Sequence, residues 1–432
     1  MTGTLPAELA AGPAPFAFAR APRILFGEGR AAELPAVVRA FGTRALVVLR
    51  GSAADAGPWA ELLASLQGAG LTLLLEHVSG EPSPELVDAI VARVRATSES
   101  GAATGKRAAA QFRSPIDVVV GIGGGSVLDT AKAVAGLIVP GNSVMDHLEG
   151  VGTPRPYRGP ALPFVAVPTT AGTGSEATKN AVLSTHGTPA FKRSFRDDSL
   201  VAQVAVVDPD LLASCPPKLI AGNGMDALTQ LIESYLSIRA NPLTDALALS
   251  GLDAARDGLI AWHAEASAGR GGGERGSVAA AARARMAYAA LCSGVCLANA
   301  GLGAVHGLAS PLGAQFPIPH GAACGAVLAA ATRANIAALE SRAPGGEALA
   351  RYADVGRVLA GRPRLSDAAA RAALVGLLED WRVRLEIPSL AAFGVGENDI
   401  AAIVADSRGS SMKTNPVVLG DEEVAAIVHA SL

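Results

Sequence analysis

Short apolar runs alternate with helically spaced segments through the first half of the chain. ALVVL (45–49) follows Gly42 and Thr43 and reads as a buried strand, and the stretch from Trp59 to Leu66 behind it has helical spacing. LTLLLEHV (71–78) is a second run, closed by a turn at GEPSP (80–84), and ELVDAIVARVRA then returns to helical spacing. DVVVGIGGGS (117–126) is a strand entering a glycine-rich turn, followed by the helix VLDTAKAVAGLIV. FVAVPTT (164–170) and AVVDPDLL (205–212) are two further buried strands. Strands alternating with helices predict a parallel sheet covered on both faces.

From about Pro216 onward the pattern is helical. NGMDALTQLIESYLS (223–237), PLTDALALSGLDAARDGLIAW (242–262) and VAAAARARMAYAALCSGVCLANAGLGAVHGLA (278–309) each read as one helix. A chain of 432 residues is too long for one ordinary core. The expected division is an α/β domain over 1–210 and a helical domain over 211–432. Two segments rich in Gly, Ser and charge, 97–114 and 265–277, read as surface insertions.

Half of the residues are hydrophobic and 17% are charged, which supports a large core and excludes a disordered chain. A net charge of −3 gives no reason to expect nucleic acid or an anionic membrane as partner. No run of about 18 apolar residues predicts a membrane span. The first residues lack the pattern of a secretory signal. None of the four cysteines sits in a CxxC pair, so a reducing cytoplasm is expected. Cys292 and Cys296 read as small buried hydrophobes.

Four segments carry candidate chemistry. Gly123, Gly124, Gly125 and Ser126 lie where a strand becomes a helix. Residues without Cβ let a backbone approach a ligand closely, and the helix N-terminus offers N–H groups to a pyrophosphate; a tight turn without a ligand is the alternative. Pro168–Glu176 crowds the hydroxyls of Thr169, Thr170, Thr173 and Ser175 behind another strand, where they cap a helix or bind ribose and phosphate. Two such loops at strand ends favour a shared nucleotide crevice. In the third segment Asp226 and Gln230 are four apart in an apolar helix, where an unpaired carboxylate is costly. A helix-dipole role for Asp226 is the alternative. In the fourth, His306 and His320 fall in a stretch punctuated by Gly and Pro. Two imidazoles and a carboxylate are a reasonable set for Zn²⁺ or Fe²⁺. His77, His147, His186, His263 and His429 read as ordinary residues.

GGGSVLDTAK, VPTTAGTGSEAT, NGMDALTQLIESY, GLGAVHGLASPLGA and PIPHGAACG, in this order, resemble the iron-containing (group III) alcohol dehydrogenases. The likeness extends to the wider group with glycerol dehydrogenase, maleylacetate reductase and dehydroquinate synthase. It implies an α/β dinucleotide-binding domain, an all-α C-terminal domain of dehydroquinate synthase-like fold, and an active site in the cleft between them. It places NAD or NADP on Gly123, Gly124, Gly125, Ser126, Asp129, Thr169, Thr170 and Thr173. It places the metal on Asp226, Gln230, His306 and His320, with Asp226, His306 and His320 as the catalytic set, and implies a homodimer or larger homo-oligomer. The sequence departs from the family pattern twice: Gln230 stands where a third His is usual, and Ser310 where a proton-relaying His is common.

The implied reaction interconverts a small alcohol and its aldehyde or ketone, with a divalent metal polarising the substrate oxygen. Two rival readings are a metal-independent reductase of an oxo acid, resembling maleylacetate reductase, with Lys192, Arg193 and Arg196 binding a carboxylate or forming only a solvated charged face, and a nucleotide-binding regulator with a decayed site. Arg50, at the end of the second strand where NAD-selective enzymes often place an acid, tilts the expectation slightly toward NADP.

Overall fold

The computed structural model describes residues 14–51, 59–99, 114–153, 155–185 and 191–432. The predicted insertion at 97–114 and His186 lie almost wholly outside these residues.

The apolar runs form one six-stranded sheet in the order β1-β8-β5-β4-β2-β3. It comprises β1 (Arg23–Phe26), β2 (Arg44–Arg50), β3 (Thr72–Val78), β4 (Val118–Gly123), β5 (Phe164–Pro168) and β8 (Val204–Val207). Every pairing is parallel. The central strands are apolar at nearly every position because both faces are covered. Alternation divides them between two cores: Leu46, Val48 and Val119 face one, and Ala45, Val47, Leu49, Val118 and Val120 face the other. Helices α1 (Leu34–Arg39), α2 (Ala60–Gly68), α3 (Pro84–Glu99) and α4 (Gly125–Leu137) connect the strands.

Three readings of this half are corrected. β1 and an antiparallel hairpin of β6 (Asn180–Thr185) and β7 (Phe191–Arg196) were not predicted. Their polar residues, as in FKRSFR, break the apolar runs that marked the other strands. The predicted strand 205–212 ends at Val207, because Asp208 accepts from Asp210 N and Pro209 opens a 3₁₀ turn.

The helical half consists of α5 (Pro217–Leu236), α6 (Pro242–Ser267), α7 (Val278–Ala300), α8 (Ala304–Gln315), α9 (His320–Arg342), α10 (Glu347–Ala360), α11 (Asp367–Arg384), α12 (Ile400–Asp406) and α13 (Asp421–His429) around a separate core. The single helix expected over 278–309 is two helices bent by 101°. Gly301, at φ 80°, ends α7, and Gly303 precedes α8. The break puts His306 in the first turn of α8. Segment 265–277 is mostly exposed, but buried Arg283 anchors it by donating to the Gly271 carbonyl at 3.0 Å. His320–Arg342 is long and apolar enough to cross a membrane, yet 83% of its apolar window is buried in the protein.

Candidate active site

The chain leaves β2 toward β3, and leaves β4 toward β5 in the opposite direction. The C-terminal ends of β2 and β4 therefore flank a crevice of the kind in which open parallel sheets bind nucleotides. Arg50 ends β2 and is exposed. Gly123 ends β4, and α4 begins beyond Gly124 with no side-chain cap, leaving its dipole and N–H groups for a ligand. A Cβ on Gly124 would lie 3.0 Å from Thr170 Oγ1, and one on Gly125 would lie 2.7 Å from Thr173 Cγ2. The missing side chains thus let the threonine loop close over the glycine turn. Thr169 N donates to the Gly123 carbonyl at 3.0 Å, which fixes the two loops together.

Behind the turn, Asp129 and Lys132 share one face of α4. Asp129 accepts from Ser175 Oγ at 2.5 Å and from Val182 N at 3.1 Å, so its carboxylate points at the threonine loop. Lys132 is fully buried; its Nζ donates to the Ser175 carbonyl and hydroxyl, Thr178 Oγ1 and the Asn180 carbonyl, and lies 3.5 Å from Asp129. Burial lowers its pKa, with Asp129 opposing.

The same loop reaches the helical half. A Cβ on Gly172 would lie 2.6 Å from Asn223 Cβ, and one on Gly174 only 2.3 Å from Gly294 Cα. Asn223 is one turn before Asp226 on α5. Gly222 and Gly321 meet equally closely, bringing α9 against α5. Asp226, His306 and His320 converge there from α5, α8 and α9. Asp226 Oδ1 is 3.2 Å from His306 Nε2 and 3.8 Å from His320 Nε2. Cys324 Sγ joins them, and the four ligand atoms lie within 4.8 Å of one another.

The donor set fits a cation. Glu233 Oε2 lies 2.6 Å from His306 Nδ1, which takes the ring's proton on that side. Burial alone would lower the His306 pKa, but Cys324, Asp226 and Glu233 raise it well above the ordinary imidazole value, so positive charge is favoured where Nε2 meets Asp226 Oδ1. Burial alone would raise the Asp226 carboxyl, but His320 and His306 hold it below the usual range. Burial also pushes His320 down to about 4, against Asp226. Gln230 lies beside the cluster: its Nε2 donates to Asp226 Oδ1 at 2.9 Å and its Oε1 accepts from Ser293 Oγ at 2.7 Å.

The family model for iron-containing alcohol dehydrogenase matches residues 21–209, and the model for the C-terminal part of the Fe-containing alcohol dehydrogenase family matches 220–432. The chain belongs to the iron-containing alcohol dehydrogenase family. It is an alcohol oxidoreductase, with the α/β and all-α halves that the resemblance implied. It is 35% identical over 333 residues to long-chain-alcohol dehydrogenase 1 of Geobacillus thermodenitrificans, covering 76% of this chain and 78% of that one. It is 32% identical over 319 residues to the NAD-dependent methanol dehydrogenase of Bacillus methanolicus, covering 73% and 77%. Its fold matches a 1,3-propanediol oxidoreductase with a TM-score of 0.80 at 26% identity, over 97% of this chain and 100% of that one.

In this iron-containing alcohol dehydrogenase, two site groups escaped the sequence reading. Glu233 follows Asp226 by two helical turns on the same face of α5, a spacing that could have drawn attention. Cys324 is one turn beyond His320 on α9, so the pair shares a face. The hairpin adds a third feature. Lys192 Nζ lies 3.1 Å from Glu81 Oε1, and both are close enough to act electrostatically on His320. Lys192 thus lies near His320, with Glu81 offsetting its charge.

Proposed function

We propose that the enzyme interconverts a small alcohol and its aldehyde or ketone using NAD(H) or NADP(H), with the substrate oxygen held at Asp226, His306 and His320. The convergence of these three side chains, from separate helices, beside the loop that closes the nucleotide turn carries this reading. When bound, a divalent ion on this cluster supplies Lewis-acid polarisation, and the nicotinamide supplies the redox chemistry. The uncapped start of α4 holds the pyrophosphate, and Thr170 and Thr173 line the nucleotide side. Asp226 and His306 are buried, whereas the His320 side chain is 29% exposed, so substrate approaches from the His320 side. Glu233 holds His306 through Nδ1 and so turns Nε2 toward Asp226. The enzyme acts in the cytoplasm as a homo-oligomer.

A metal-independent reduction of an oxo acid is the second reading, and Lys192 beside His320 favours it. NAD(P)H oxidation measured with a panel of aldehydes and oxo acids, before and after chelation and reloading with Zn²⁺ or Fe²⁺, separates the two. Turnover of uncharged aldehydes that is lost on chelation and restored by metal is expected. Undiminished turnover of oxo acids by the metal-depleted enzyme would favour the second reading.

A further inference from the structure

We infer that Cys324 is a metal ligand, its thiolate completing an Asp226–His306–His320–Cys324 centre, and that Gln230 orients Asp226 without ligating. The inference rests on the metal-assisted reading above.

Gln230 presents its amide N–H to the cluster, bonded to Asp226 Oδ1, while its oxygen is taken by Ser293 on the far side. An amide nitrogen that is donating hydrogen bonds has no lone pair for a cation. The remaining set of one carboxylate and two imidazoles is one short of a closed tetrahedral site. Cys324 fills the gap. It is fully buried, and its Sγ lies 3.9 Å from each of Asp226 Oδ1, His306 Nε2 and His320 Nε2. Sγ is thus equidistant from the three atoms that would share the ion with it. Bonds of about 2.3 Å to sulfur and about 2.0 Å to nitrogen around a tetrahedral ion would set S and N roughly 3.6 Å apart. The observed separation needs only a small contraction.

Cys215 and Cys296 are engaged elsewhere: Cys215 Sγ donates to the Thr169 carbonyl and Cys296 Sγ to the Thr244 carbonyl. On binding, the Cys324 thiol loses its proton to solvent and the thiolate takes the metal. A thiolate beside imidazoles suits a borderline-soft ion, Zn²⁺ foremost.

The test uses Co²⁺ as a spectroscopic probe on the full-length enzyme after metal removal. One Co²⁺ per chain is expected, with tetrahedral ligand-field bands and a near-ultraviolet thiolate-to-cobalt band. Cys324→Ser should abolish the near-ultraviolet band and weaken Co²⁺ binding at least about tenfold. The wild-type spectrum alone tests the claim even if the variant folds poorly. One bound Co²⁺ without a thiolate band, or a band unchanged in Cys324→Ser, overturns Cys324 as a ligand and leaves the metal centre standing. Failure of the wild-type protein to bind Co²⁺ stoichiometrically overturns both.

Discussion

His306 Nδ1 and Glu233 Oε2 are 2.6 Å apart, and the same carboxylate accepts from Val305 N at 2.6 Å. Glu233 thus caps the start of α8 and orients the imidazole in that helix's first turn. The helix break at Gly301–Gly303 is what brings these N–H groups to α5. A Cβ on Gly303 would lie 2.9 Å from Glu233 Oε1. Removing such a partner typically costs about 10- to 100-fold in metal affinity. We expect Glu233→Ala to show a loss of that size in Zn²⁺ competition with a chelator, and Glu233→Gln, which keeps an acceptor, a smaller one. Unchanged affinity in Glu233→Ala would mean that His306 is held by packing alone.

Lys132 joins α4 to the threonine loop through buried acceptors. Truncation would leave those acceptors and Asp129 without their cation, which typically costs about 3–5 kcal/mol. Lys132→Ala should lose stability on that scale in urea unfolding. A change below about 1 kcal/mol would show that water replaces the ammonium.

The sheet strands and the glycine turn were legible because strands covered on both faces are written as unbroken apolar runs: VVVG, FVAV and VAVV each became buried strand. The hairpin was not, because Phe191–Arg196 is half solvated and carries Lys192, Arg193 and Arg196. Asp226, His306 and His320 stood out chemically, and motif resemblance joined them. Glu233 and Cys324 were missed because a buried Glu and a buried Cys look ordinary until three helices are packed together. The division of 278–309 into two helices was missed because its glycines were read as lying within one helical segment.

Arg50 lies at the exposed end of β2, close enough to the Cys215 thiol to act on it electrostatically. Cys215 is bonded to the Thr169 carbonyl, which puts Arg50 beside the crevice proposed for the nucleotide. A 2′-phosphate there would gain a charge-assisted hydrogen bond. Arg50→Ala should raise the KM for NADPH about tenfold and leave that for NADH nearly unchanged. Preference for NADH in the parent enzyme, unaltered in Arg50→Ala, would contradict this.

Burial pushes the Glu176 carboxyl up to about 7 from 4.5, despite nearby Lys132. A carboxyl whose pKa is higher folded than unfolded favours folding when protonated. Its contribution is therefore full below pH 4.5 and is lost as pH rises to about 7. Glu176→Gln should reduce the fall in stability between those limits, seen as a smaller shift of the urea midpoint. An identical pH dependence in both proteins would show that Glu176 is solvated.

Turnover and cofactor affinity, measured separately for Asp226→Ala, His306→Ala and His320→Ala, test metal-assisted catalysis at this cluster most directly. The crevice proposed for the nucleotide lies on the α/β half and the three side chains on helices of the other half. Turnover should fall by orders of magnitude in each folded variant, while the dissociation constant for the nicotinamide nucleotide changes little. Near-normal turnover in all three would contradict a metal-assisted reaction at this cluster.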